Sequence, residues 1–203
     1  MIELAPAAVE KAKACQSALY TAMTGDARSL PFPDTSADAC LLLGPLYHLQ
    51  EKEDRMQALR EALRVLRPGG LLFAAGISKY SSMTWALSVY GLKNDYIDDP
   101  VYREMLREEL LTGRHCKPAQ YNCLCDAYFH TPEGFQEELA EAGFPVNALY
   151  AVEGCAWLAP SLSEKWKTPA WLENLLSLVR MTEQAPSLLG VSPHFLAVAK
   201  AGN

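Results

Sequence analysis

Gly25-Asp26-Ala27, then Leu30-Pro31-Phe32-Pro33-Asp34, then the run Ala37-Asp38-Ala39-Cys40-Leu41-Leu42-Leu43 decide the fold class. The run is near-continuously apolar, the pattern of a parallel strand covered on both faces, and Gly44-Pro45 stops it. Downstream, Met56, Leu59, Leu63 and Leu66 recur at helical spacing while Glu53, Arg60, Glu61 and Arg64 face away, which predicts a helix over 51–66. Arg67-Pro68-Gly69-Gly70 closes it, because proline cannot continue a helix and glycine accepts the positive φ of a tight turn. A second buried strand is predicted over 71–77. Strand, helix and strand in this order imply a right-handed crossover in a parallel sheet.

Upstream, Pro6 starts an Ala-rich helical stretch over 6–17, and 19–23 reads as a short strand leading into Gly25-Asp26. Beyond Ser78 the pattern changes. Aromatic residues mix with charges through Tyr128, with helical stretches over 82–90 and 101–111, as in a lid or binding segment. Thr131 and Pro132 start another helix, as N-cap and first helical residue, and Gly143 closes it. The tail offers a strand over 148–153, a helix over 169–181 and an alternating strand over 195–199. The chain reads as one domain over 1–203, with a cap inserted over about 79–129.

The 203 residues are 50% hydrophobic and 21% charged, the composition of a chain that builds a core. A net charge of -6 argues against a phosphate-tracking surface, so the expectation is no nucleic-acid partner. The Lys11/Lys13 and Arg60/Arg64/Arg67 clusters read as solvated helix faces. No apolar run is long enough to cross a bilayer, and the first residues lack a signal-peptide pattern. The 6 cysteines are scattered, so a reduced, cytoplasmic chain without membrane contact is expected.

The order Gly-Asp-Ala, Leu-Pro-Phe-Pro-Asp, apolar strand, Arg-Pro-Gly-Gly and second strand resembles the class I S-adenosylmethionine (SAM)-dependent methyltransferases, in particular their small-molecule type 11 branch. The resemblance implies an α/β, doubly wound, mostly parallel Rossmann-like sheet with a helical cap, and SAM as cofactor. It also implies a missing first strand and Gly-rich turn, since no E/D-x-G-x-G-x-G is present. The sheet is then N-terminally incomplete, SAM binding is weakened, and the free strand edges suit a homo-oligomer or a strand-donating partner. A non-catalytic remnant serving as a binding or partner subunit is the alternative reading. An NAD-type oxidoreductase is disfavoured, because these motifs are not expected there.

Residue by residue, the resemblance implies that Asp26, with Gly25 and Ala27, meets the adenine of SAM; taken alone, Gly-Asp reads first as a turn. Glu3 and Leu4 fall where a second strand ends in a ribose-binding carboxylate, against the alternative of a solvated terminus. Leu43, Gly44 and Pro45 would border the methionine portion and the methyl. His48 is a candidate general base for a substrate proton, although a His at a helix start is often satisfied locally. Tyr47, Tyr80, Trp85, Tyr90, His115, Tyr128 and His130 suit a small-molecule substrate pocket, or a cap packing its own core. Cys123-x-Cys125 with His115, Cys116 and His130 is one residue short of a zinc pair, so no metal is expected.

Overall fold

Six strands and two helices do most of the positioning, in a computed structural model that describes residues 1–15, 19–88, 96–122 and 124–202. β1 (Ile2–Glu3) and β2 (Met23–Thr24) run parallel, joined through α1 (Pro6–Ala14). Pro6 fits the first turn, where its missing N–H leaves nothing unpaired, and Val9 buries against the pair. β3 (Ala37–Leu42), α2 (Pro45–His48), α3 (Lys52–Val65) and β4 (Leu66–Ile77) follow, with β3 parallel to β4. β7 (Val146–Ala151) and β8 (His194–Lys200) complete a four-stranded sheet in the order β3-β4-β8-β7.

The α/β class, the crossover and the mostly parallel sheet are as expected, with one strand reversed. β8 runs antiparallel to both β4 and β7. Sequence period does not report strand direction, since alternating residues suit either. Among the described residues, β1-β2 is not hydrogen-bonded to the larger sheet.

The sheet also buries one face, not two. Leu42, Leu72, Ala74, Phe195, Ala197 and Ala199 form the core with Leu59 of α3 and with Phe135 and Leu139 of α6 (Pro132–Glu141). On the other face Leu41 is 62% exposed, because β3 has β4 as its only lateral partner among the described residues and both helices pack opposite. The expected turn at 67–70 is instead a bulge within β4: Ala37 pairs Leu66, and Ala39 already pairs Leu71. Gly69 sits at φ 77°, and a Cβ on Gly70 would meet the Arg67 and Asp38 carbonyls at 2.9 and 3.1 Å.

Above the carboxyl ends of β3 and β4 lies the cap. It contains α4 (Ser81–Leu87), α5 (Pro100–Thr112) and the antiparallel pair β5 (Arg114–His115) and β6 (Ala127–Tyr128). Ala86, Tyr102, Met105 and Leu106 give it a core of its own. Asp99 caps α5 by accepting from Val101 N at 2.7 Å, and Thr131 caps α6 by accepting from Gly134 N at 3.0 Å. α7 (Leu162–Lys165), α8 (Pro169–Thr182) and α9 (Pro186–Leu189) lead into β8. No helix among the described residues is long and apolar enough to cross a membrane.

Candidate functional site

Parallel pairing brings Glu3 and Asp26 to the same strand ends. Gly25 N donates to Glu3 O at 3.1 Å, so the two carboxylates stem from neighbouring backbone at the carboxyl edge of β1-β2. Glu3 Oε1 accepts from Ala5 N at 3.0 Å, leaving Oε2 without a partner among the described residues. Asp26 is more heavily engaged. Arg28 donates Nε and Nη2 to it, the latter at 2.7 Å, and its backbone N–H adds a bond at 2.9 Å. These bonds hold the Asp26 carboxyl below the usual range. Arg28 also reaches Asp54 on α3 at 3.0 Å, and Arg64 bonds Glu61, Asp34 and the Leu30 and Phe32 carbonyls. Arg64 is thus a tether for the loop over 30–34 rather than part of a solvated face. Beside Asp26, the Ala27 N–H makes no hydrogen bond among the described residues. Leu4 is 67% exposed.

The chemistry of this set fits an adenosine. A carboxylate oxygen at Glu3 suits two ribose hydroxyls. The Asp26 carboxylate and Ala27 N–H present acceptor and donor side by side, as an adenine edge requires.

From the end of β3, Leu43, Gly44 and Pro45 lead straight into α2, whose Tyr47 and His48 line a cavity of about 570 Å³. Tyr47 donates its hydroxyl to Leu43 O at 3.0 Å, which ties the cavity wall to the strand end. His48 Nδ1 lies 3.5 Å from Cys125 Sγ. Trp85, Tyr96, Tyr102, Tyr121 and Phe129 come from the cap side, and Trp157 from the tail. Trp157 is fixed by donating Nε1 to Val191 O at 3.0 Å.

The seven expected substrate residues divide. Tyr47, Trp85 and His115 line the cavity, whereas Tyr80, Tyr128 and His130 do not. Tyr80 packs on Gly190, whose added Cβ would lie 3.1 Å from its ring. Tyr128 covers Arg55, with the guanidinium 3.7 Å from its ring centroid. His130 is buried with Nε2 3.3 Å from Glu138, itself bound in a fork by Arg55 at 2.8 and 2.9 Å. A strand places successive side chains on opposite faces, so Tyr128 and His130 fall on the α6 side while Phe129 takes the cavity side. Tyr90 and Cys123 lie outside the described residues. No group of three or more His, Cys, Asp or Glu among the described residues could hold a metal ion.

The site also contains a cluster that the sequence reading passed over. His194 opens β8 opposite Ile77 at the end of β4, and Glu153 follows β7. His194 Nδ1 is 2.6 Å from Glu153 Oε1, while Glu153 Oε2 accepts from His194 N and Ser192 Oγ, both at 3.0 Å. Each residue directly borders a strand that was expected from pattern. Only the antiparallel pairing of β7 with β8 brings them together.

Solved structures share this fold. A SAM-dependent methyltransferase from Mesorhizobium loti superposes with a TM-score of 0.59 at 15% identity, over 98% of this chain and 78% of that one. Residues 1–74 match the family model described as a methyltransferase domain. This is the class I SAM-dependent methyltransferase fold. Over 56 residues the chain is 38% identical to tRNA (carboxymethyluridine(34)-5-O)-methyltransferase ALKBH8 of Mus musculus, covering 28% of this chain and 8% of that protein. A 47-residue match is 49% identical to 27-O-demethylrifamycin SV methyltransferase of Amycolatopsis mediterranei, covering 23% of this chain and 16% of that one. The chain therefore matches only a small part of the length of these relatives.

The pair of relatives corrects one expectation. The exclusion of nucleic acid does not stand, because a methyltransferase named for a tRNA nucleoside matches part of this chain. Net charge averages over a whole chain and says nothing about the local surface around one site.

Proposed function

We propose that this chain transfers a methyl group from SAM to a small acceptor seated in the aromatic cavity. The observation that carries it is a shared placement at strand ends. The Glu3–Asp26 strand ends, the turn over 43–45 and the cavity beyond Tyr47 and His48 all belong to the carboxyl ends of parallel strands, where open α/β sheets bind ligands.

The cofactor supplies a methyl carbon made electrophilic by the adjoining sulfonium. The chain's own residues then hold, orient and exclude water. Glu3 holds the ribose hydroxyls, and Asp26 with Ala27 N–H the adenine edge. Leu43, Gly44 and Pro45 border the methionine portion. The cap rings Trp85, Tyr96, Tyr102 and Tyr121 border the acceptor and keep water from the reacting atoms. With Asp26 already paired to Arg28 and β1-β2 separate from the larger sheet, binding is weak.

Calorimetric titration with SAM tests this. Heat of binding at millimolar SAM, lost about tenfold or more in affinity on Glu3→Ala, is the expected result. No heat at millimolar SAM overturns the proposal, and micromolar affinity overturns its weakness. The tRNA-directed relative favours a second reading, in which the acceptor is a nucleoside of an RNA. That reading expects a salt-sensitive gel shift with bulk tRNA.

A further inference from the structure

Two imidazoles on the cavity are open to an acceptor, and they are unequally equipped. His48 has a cysteine sulfur at 3.5 Å and, among the described residues, no carboxylate bonded to it. His194, 44% exposed, gives Nδ1 to Glu153 at 2.6 Å. Its Nε2 makes no hydrogen bond among the described residues, so that nitrogen is left for the cavity His194 lines. A carboxylate on Nδ1 fixes the tautomer whose Nε2 lone pair can take a proton, and it stabilises the imidazolium that results.

Glu153 is itself held. Its Oε2 accepts from the His194 backbone N–H and from Ser192 Oγ, and Ser192 is fully buried. Ser192 Oγ also accepts from Glu153 N and Gly154 N at 3.1 Å each. The dyad is therefore preorganised from both strands and the loop before β8.

Much of the remaining wall is aromatic: Trp85, Tyr96, Tyr102 and Tyr121 from the cap, with Phe129 and Trp157. Such walls favour a flat ring, and a base of imidazole strength suits a weakly acidic hydroxyl on that ring. The remaining titratable groups facing the cavity are His48 and Tyr47 on α2, the three cap tyrosines and His115. None is a carboxylate.

We infer that His194 Nε2 takes the proton of an aromatic hydroxyl bound in this cavity, with Glu153 as its positioning residue, which makes the methyl acceptor a phenol. The inference rests on the methyl-transfer reading above. As the O–H bond breaks, the proton goes to Nε2 and the oxygen lone pair forms the new bond to the methyl carbon. The carbon–sulfur electron pair stays on sulfur, so the sulfonium becomes a neutral thioether, and the imidazolium later releases its proton to water. Consistent with this, the bond to Glu153 raises the His194 pKa above its ordinary value.

The probe is 4-nitrophenol, whose phenolate absorbs in the visible, titrated into the full chain without SAM. The bound probe should ionise at lower pH than the free one. His194→Gln should return its ionisation toward the free value by about one unit, a tenfold change in equilibrium, and Glu153→Gln by less. Near-UV circular dichroism confirms that each variant is folded, and His194→Gln, at a half-exposed position, remains informative if Glu153→Gln unfolds. The inference is overturned if wild-type chain fails to bind the probe at millimolar concentration. It is equally overturned if wild type and His194→Gln ionise the probe alike, or if only His48→Gln changes it. Because SAM is absent, failure here is separable from failure of the calorimetric test of SAM binding.

Discussion

The cap and the sheet edge each hold a histidine against a glutamate, and the two pairs differ in everything except that contact. In the cap, His115 Nδ1 is 2.5 Å from Glu109, and Nε2 is spent on Leu124 O at 3.0 Å. Both side chains are sealed from solvent. At the sheet edge the His194–Glu153 pair is half-exposed, with a ring nitrogen to spare. A buried pair whose imidazole has both nitrogens engaged holds structure, while one with an open nitrogen can do chemistry. Residue type is thus less informative than what occupies the second nitrogen.

The largest effect should come from the buried Arg55–Glu138 pair. Arg55 crosses from α3 to α6, and Arg55→Met leaves Glu138 buried without its fork. Urea unfolding should show a loss of about 3–5 kcal/mol. A loss below 1 kcal/mol would mean that water reaches Glu138 and that the sealed class is drawn too widely.

Next is Glu109→Gln, expected to cost about 1–3 kcal/mol in the same assay, with a signature in pH. Burial alone would push His115 down, but Glu109 and the Leu124 carbonyl outweigh it and raise its pKa above 6.5. This contribution is fully present below pH 6.5 and is lost as pH rises through the raised folded value. Glu109→Gln should flatten that fall. At the acid end the sign reverses for Glu138, where burial opposes the charge but bonds from His130 and Arg55 hold it at about 2. Its contribution disappears as pH falls from 4.5 toward that value. Unfolding curves between pH 3 and pH 9 test both.

The smallest effect on stability belongs to His194→Gln, below about 1 kcal/mol, because half-exposed pairs contribute little. The same change should have the largest effect on the bound phenol. Equal losses for Glu109→Gln and His194→Gln would erase the distinction between the two pairs.

Much of the fold was readable because the relevant signals are local. Pro6, Thr131-Pro132 and the Met56/Leu59 spacing gave helices within a few residues of their observed ends, as 71–77 and 195–199 gave strands. The Arg67–Gly70 bulge was mistaken for a turn, since both need the same glycines. Tyr47, Trp85 and His48 line the cavity, where following a strand end into the next helix places them. Tyr128 and His130 lie off it, because an aromatic or imidazole does not announce which face of a strand it takes.

By itself the sequence determined the strand–helix–strand order, the helix starts and the motifs that carry the methyltransferase resemblance. Each depends on backbone preferences or a period within about twenty residues. Tertiary structure alone decided which way β8 runs, that Arg55 and Glu138 bury together, and that Glu153 meets His194 across 41 positions. Those outcomes depend on which strands become neighbours, and pairing energy between distant segments leaves no local trace in either one.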